Sequence, residues 1–123
     1  ENRTVAVRIP GGSPKARRIE HRLAGADANP YLVLASILGG ALLGIQGKWE
    51  PPAPVTGDAY SQNLETLPPD WASAIEAFSR GPHVTQIYAR RLQRMFVQCK
   101  FQELRRFTRH VTEFEYHSYL EAV

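Results

Sequence analysis

The sequence predicts an α+β fold, in which a short antiparallel strand pair is followed by a mostly helical C-terminal region. Two segments near the start, 3–10 and 17–23, alternate apolar and polar residues as strands do. Farther along, apolar residues recur at steps of three and four, which is the period of a helix. With 123 residues, 43 % of them hydrophobic, the chain has the length and balance of one folded domain over 1–123.

The strand pair is predicted within 3–23. Its first strand ends at Pro10, and the sequence GGSP over 11–14 is typical of a turn. Because side chains alternate along a strand, Ile19 and His21 face one way and the charged residues face the other. The charged face of the pair is then formed by Arg8, Arg18, Glu20 and Arg22.

This charged face admits two interpretations. One is an exposed strand with solvated charges, since surface ion pairs add little stability. The other is an anion and metal site, because guanidinium groups bind phosphate or carboxylate through two donors, and a carboxylate binds a divalent cation. The local pattern leaves both open.

The first helix is predicted at about 30–45. Asn29 is placed to cap it, and Pro30 suits its first position. The apolar run that follows indicates a buried helix, and the spacing of Gly40 and Gly44 is typical of close helix packing. The run is shorter than the roughly 20 residues of a membrane span, so no membrane is predicted.

The remainder is predicted as a loop and further helices. Residues 46–69 contain five prolines and indicate an extended surface loop. Asp70 is placed to cap a helix at about 71–79. A helical pattern then covers 83–123, and its apolar stripe shifts near Lys100, which predicts a bend or a new helix there.

Several site classes are excluded or disfavoured. The sequence lacks GxxxxGK[ST] and GxGxxG, and its four histidines lack the paired spacing of a zinc site. The one cysteine, Cys99, cannot form an internal disulfide and is predicted to be a buried, inert thiol. A reducing cytoplasmic setting is therefore expected.

A basic segment in the last helical region offers a different function, a helical interaction module for an acidic partner. Nucleic-acid binding is not favoured, because no reading module accompanies the charge. The net charge of the chain is +3. The segment contains one acid, Glu103, against Arg90, Arg91, Arg94, Lys100, Arg105, Arg106 and Arg109.

Four short motifs follow one another in the first third of the chain. They read NR at 2–3, RIP at 8–10, KARRIEHR at 15–22 and NPY at 29–31. In this order and spacing they resemble the C-terminal part of the catalytic domain of glutamine synthetases. The later sequences LPPDWASAIEAF at 67–78 and HVTEFEYHSYLEAV at 110–123 also resemble that family's final helices.

The resemblance implies an ATP-dependent ligase that joins glutamate to ammonia or an amine through γ-glutamyl phosphate, with Mg²⁺ or Mn²⁺ present. By matching position, Glu20 would bind the metal, Arg22 would hold glutamate, and Arg3 would contact glutamate and the reacting phosphoryl group. Arg8 would contact the ATP phosphates. Lys15 and Arg18 would lie at the nucleotide.

Two departures from the common pattern, His21 and Gly11–Gly12, resemble the branch that uses larger amines, the γ-glutamylpolyamine (γ-glutamylputrescine) synthetases. The chain starts at Glu1 with a strand pattern close behind, so a piece of a longer protein is expected. The family's ring assembly implies a homo-oligomer for the longer protein. We expect the 123-residue chain alone to be inactive, because Glu20 is its one strong metal ligand and a metal needs several.

Overall fold

The chain forms two units, 1–65 and 66–123, which are described separately. This computed structural model describes residues 2–122. The first unit contains strands β1 (Val7–Arg8) and β2 (Glu20–His21), helix α1 (Pro30–Gln46), and 3₁₀ turns at Pro14–Ala16 and Ala59–Ser61. The second contains helices α2 (Trp71–Arg80), α3 (Val84–Ile87), α4 (Arg90–Thr108) and α5 (Glu113–Tyr119). The predicted α+β class is confirmed.

The strand pair is antiparallel, as predicted, but much shorter than 3–10 and 17–23. Residues 3–6 bend instead of extending. The cause lies in the Asn2 side chain, whose Oδ1 accepts hydrogen bonds from the Thr4 backbone N–H at 2.9 Å and from the Thr4 hydroxyl at 2.6 Å. Such side-chain bonds compete with a strand ladder.

Helix α1 begins as predicted and is exposed, contrary to prediction. The Asn29 side chain accepts hydrogen bonds from two backbone N–H groups, and Pro30 is the first helical residue. No residue of α1 is buried, because no other helix of the first unit packs on it. Its exposed stripe consists of Tyr31, Leu34, Leu38, Leu42 and Ile45.

The glycines of α1 do not form the predicted packing site. A side chain at Gly40 would meet nothing within 4 Å. At the helix end, the Trp49 side chain folds back over Gly44 and Gly47, and a Cβ at Gly47 would collide with the indole. The span Pro30–Gly47 has the length and apolar composition of a short membrane span, with a mean hydropathy of 1.5. An interior helix of a larger protein meets the same criterion.

The second unit is built on α2 and α4. Asp70 caps α2 as predicted, accepting a hydrogen bond from the Ser73 backbone N–H at 2.8 Å. The small core consists of Ile75, Tyr88 and Val97. At one end Phe78 contacts the rings of Tyr88 and Phe96. At the other, Trp71 meets Phe107 edge to face at 6.2 Å.

The bend predicted near Lys100 is wrong, because α4 runs unbroken from Arg90 to Thr108. Lys100 pairs with Glu103 at 2.8 Å and lies over the Phe96 ring. These contacts stabilise the helix at the position where the apolar stripe shifts, so one continuous helix accommodates the shift. The helical region 83–123 is instead interrupted before Arg90 and after Thr108. Cys99 is exposed, so its predicted burial is also wrong.

Candidate active site

The strand register places a carboxylate and a guanidinium opposite each other. Arg8 pairs with Glu20, and Val7 pairs with His21. Gly12, in the connection between the strands, has a φ of +136°, which glycine adopts far more readily than other residues. The turn chemistry and the alternation of side chains therefore bring the predicted charged face together.

Two guanidinium groups bind the Glu20 carboxylate. Arg8 Nε donates to Glu20 Oε2 at 2.7 Å, and Arg8 Nη2 lies 2.6 Å from the same oxygen. Arg18 Nη2 donates to Glu20 Oε1 at 2.9 Å. The Arg8 and Glu20 side chains are only about a quarter exposed, whereas that of Arg18 is 61 % exposed. The three side chains thus form one partly sheltered cluster, which we call the Glu20 triad.

The triad keeps Glu20 ionised. Desolvation raises the pKa of the Glu20 carboxyl, but the hydrogen bonds and positive charges of Arg8 and Arg18 outweigh it. The pKa of Glu20 is therefore lowered from its usual value of 4.5. An ionised carboxylate is the form that a divalent cation binds.

Arg22 lies next in the strand and reaches a different group. Its backbone N–H donates to the carbonyl of Ala6 at 2.9 Å, which extends the pairing of the two strands by one residue. Its guanidinium Nη1 donates to the backbone carbonyl of Asn2 at 3.0 Å. Arg22 therefore holds the segment that carries Arg3.

Arg3 and Lys15 are exposed, and the structure does not join them to the triad. Arg3 lies in the bent segment after Asn2, and Lys15 lies in the 3₁₀ turn Pro14–Ala16. Neither side chain makes a hydrogen bond or ion pair with the rest of the described chain, residues 2–122. Their cationic groups are free to meet a ligand.

A contact that sequence reasoning missed fixes the start of the chain to the proline-rich loop. Asn2 Nδ2 donates to the carbonyl of Gly57 at 2.8 Å, and the Ala59 backbone N–H donates to Thr4 Oγ1 at 2.9 Å. The pattern Asn-x-Thr could have signalled the local turn. No local sequence pattern indicates that Gly57 and Ala59, each 55 residues farther along the chain, are the partners.

His21 lies on the face of the strand pair opposite Glu20, because it pairs with Val7 and not with Arg8. It is exposed, and among the described residues no hydrogen bond or ion pair joins its ring to the triad. Within this unit, His21 is therefore not part of the charged cluster.

The residues around Glu20 fit a metal that shares its coordination with a bound phosphate. Among residues 2–122, no three His, Cys, Asp or Glu side chains come together in a cluster that could hold a metal ion alone. Mg²⁺ is commonly bound through one or two carboxylates together with substrate phosphates. One carboxylate beside two guanidinium groups, a group that can bind phosphate, suits that arrangement and not an all-protein cage.

Comparison with known proteins identifies the family. Residues 1–119 match the family model for the glutamine synthetase catalytic domain. The chain belongs to this family. The match includes the strand pair, the Glu20 triad, and all but the last four residues.

Known members of the family that resemble the chain differ in the reactions that their names describe. The γ-glutamylputrescine synthetase of Escherichia coli is 39 % identical over 114 residues, 93 % of the chain. A glutamate–isopropylamine ligase of a Pseudomonas species is 34 % identical over an alignment of 126 positions that covers the whole chain. The glutamine synthetase of Azotobacter vinelandii is 49 % identical over a shorter stretch of 75 residues, 60 % of the chain. These matches cover 24 %, 28 % and 15 % of the respective relatives, so the chain spans about a quarter of the first two.

Proposed function

We propose that the chain is the C-terminal portion, over 1–123, of a catalytic domain that forms γ-glutamyl amides with ATP. In this reaction an oxygen of the glutamate side-chain carboxylate attacks the γ-phosphorus of ATP, and ADP leaves. An amine nitrogen then attacks the carbonyl carbon of γ-glutamyl phosphate, inorganic phosphate leaves, and the amine gives up a proton. The single observation that carries the proposal is the Glu20 triad, lying inside a segment that matches the family's catalytic domain.

Each charged residue has a role in this proposal. Glu20 ligates a Mg²⁺ or Mn²⁺ ion, which supplies positive charge to the transferring phosphoryl group. Arg8 binds the ATP phosphates, and Lys15 and Arg18 bind the nucleotide. Arg22 holds the glutamate substrate, and Arg3 contacts glutamate and the reacting phosphoryl group. Arginine suits these positions because it remains charged and presents two parallel donors to carboxylate or phosphate.

The triad further implies an exchange of partners when substrates bind. Both oxygens of the Glu20 carboxylate accept hydrogen bonds from arginine. A metal ion at this carboxylate would compete with the guanidinium groups for its lone pairs, and the ATP phosphates offer a displaced guanidinium a new anionic partner. Arg18 is the more exposed of the two and has the freer path to a nucleotide.

We propose an alkylamine, such as putrescine, as the acceptor. Support comes from two relatives that match over nearly the whole chain, one of them at 39 % identity, and whose names specify putrescine and isopropylamine. The alternative is ammonia, because glutamine synthetases also match, two of them over 97 % and 100 % of the chain and one at 49 % identity over 60 % of it. Gly12 needs no role in this choice, because its positive φ already accounts for glycine there.

The proposed setting is the cytoplasm, and the proposed assembly is a homo-oligomer of the full-length protein. Both proposals extend to this protein what its family membership implies. We propose no nucleic acid and no membrane as partners of the reaction.

The test uses the full-length protein and measures ATP- and glutamate-dependent phosphate release with ammonia, putrescine, isopropylamine and longer polyamines in turn. We expect putrescine to give a higher kcat/KM than ammonia. A preference for ammonia would exclude the alkylamine acceptor while leaving the ligase chemistry in place.

Glu20→Gln keeps the side-chain size and removes the charge. We expect it to lower kcat by about a hundredfold or more, since a group that acts on the charge of the transition state has effects of this order. Glu50→Gln, the same change at an exposed position of the same unit, is the matched control and should retain activity. Equal activity of the two variants would contradict the assigned role of Glu20.

A further inference from the structure

Helix α4 and its C-cap residue carry six arginines on one face. At about 100° per residue, their positions fall within roughly 160° of the helix surface. They are all exposed, and none has an ion pair or a side-chain hydrogen bond within residues 2–122. They are Arg90, Arg91, Arg94, Arg105, Arg106 and Arg109. We call this surface the arginine face.

The arginine face contains no acid. The only acidic residue of α4, Glu103, projects on the other side and pairs with Lys100. The opposite face of the helix is already occupied, since Val97 and Gln93 are buried and Phe96 and Phe107 contact rings of α2. The unbalanced charge therefore points away from the core of its unit.

The six arginines form two groups of three. Arg90, Arg91 and Arg94 lie in the first two turns, and the other three lie in the last turn and at the C-cap. Equivalent members of the groups are 15 residues apart, or about 22 Å at 1.5 Å per residue. Between them the face presents neutral Gln98 and Gln102.

We propose that the arginine face binds an acidic protein segment whose carboxylates form two clusters about 22 Å apart. Guanidinium forks match carboxylates geometrically, and the glutamines between them can donate to and accept from a peptide.

The composition of the face favours protein over nucleic acid. It contains arginine without lysine, together with Met95, which is 54 % exposed, and Arg and Met are enriched at protein interfaces while Lys is depleted. Nucleic acids present an unbroken row of phosphates, which would leave the central ones against uncharged glutamines. Two separate arginine groups suit two separate acidic clusters.

A membrane surface fits less well for a different reason. A helix that lies in a membrane interface buries its apolar face among lipids. The apolar face of α4 is packed against α2 through the Phe78–Phe96 and Trp71–Phe107 contacts and is not available.

The test uses isothermal titration calorimetry with the full-length protein at 150 mM salt, which screens weak non-specific attraction. The probe is a helical peptide with Glu at two triplets 15 residues apart and Ala and Gln elsewhere. A second peptide of the same composition has its Glu residues evenly spaced. We expect the matched peptide to bind at least about tenfold more tightly, because only it places both clusters against both arginine groups.

The variant Arg91→Gln/Arg106→Gln removes one charge from each group and should weaken binding of the matched peptide about tenfold or more. The control Arg80→Gln/Lys48→Gln removes the same charge from elsewhere on the surface and should leave binding and phosphate release unchanged. Equal binding of the two peptides would overturn the proposal. So would equal loss in the two variants, tighter binding of a 20-residue oligouridylate, or preferential binding to phosphatidylserine vesicles.

Discussion

The position and charge of the Glu20 side chain are determined by two neighbouring arginines. Its carboxylate accepts from Arg8 through one oxygen and from Arg18 through the other, and about a quarter of its surface is exposed. Two positive neighbours outweigh the cost of partial burial, so the ionised form is favoured. The two ion pairs also hold the arginine side chains against the carboxylate on one face of the strand pair.

The lowered pKa of Glu20 predicts a pH dependence. Because the folded-state pKa lies below the unfolded value, the ion pairs stabilise the strand pair fully above about pH 4.5, and this stabilisation is lost as the pH falls toward the lowered pKa. Carboxyl ¹³C titration should show Glu20 titrating below 4.5. Arg18→Gln should move the pKa of Glu20 upward, whereas Lys48→Gln should not. A Glu20 pKa at or above 4.5 in the unsubstituted chain would contradict the triad.

Residue-level predictions from sequence succeeded where the partners are local. Asn29 and Asp70 cap their helices through groups two or three residues away, and those spacings are visible in the sequence. The capping box of Thr112 and Glu115, which starts α5, has an equally local pattern and could have been predicted. Cys99 was mispredicted because helical periodicity shows which residues share a face and does not show which face is covered.

Between elements, Gln93 connects the two main helices of the second unit. It is the one buried polar residue among residues 2–122, and its Nε2 donates to the carbonyls of Ser79 at 2.9 Å and Phe78 at 3.3 Å. These carbonyls belong to the last turn of α2, which has no further intrahelical donors. Gln93, a residue of α4, therefore supplies hydrogen-bond donors to the C-terminal carbonyls of α2.

Replacing Gln93 by Met keeps the volume and removes both donors. We expect the free energy of unfolding to fall by about 1–3 kcal/mol, because two carbonyls lose their partner in a buried setting. Gln98→Met, on the exposed side of the same helix, should change it by less than about 0.5 kcal/mol. Urea unfolding followed by circular dichroism at 222 nm compares the two. Similar midpoints would show that the carbonyls find other partners.

The boundaries of helices and strands could be predicted from sequence where residues close to the boundary determine it. The starts of α1 and α2 were predicted to the residue because caps define them. The strands were predicted too long, since apolar alternation cannot show that Asn2 bends the chain at 3–6. The unbroken α4 was missed because the Lys100–Glu103 pair and the ring of Phe96 compensate for the shifted stripe.

For the whole molecule, the first unit offers a charged strand pair and an uncovered helix. The stripe of α1 leaves contiguous apolar surface, which in proteins marks an interaction face. Residues 2–122 also contain no cluster of three potential metal ligands. The Glu20 triad accounts for one ligand and several cations, and the remaining requirements of the proposed reaction must come from other sequence.

The 123-residue chain by itself should therefore show no ATP- and glutamate-dependent phosphate release above a Glu20→Gln control. The full-length protein, assayed alongside at the same ATP, glutamate, metal and amine concentrations, should release phosphate. Far-ultraviolet circular dichroism of the chain would check that its helices are formed during the assay. Release by the isolated chain that disappears with Glu20→Gln would contradict this prediction.

The two tryptophans give each unit its own optical reporter. Trp49 packs over Gly44 and Gly47 at the end of α1, and Trp71 meets Phe107 in the second unit. The chain has no third tryptophan, so replacing one indole leaves emission from the other unit alone. Emission spectra of two single-tryptophan variants would then follow the melting of each half separately. The two tryptophans can therefore show whether the two units unfold together or one after the other.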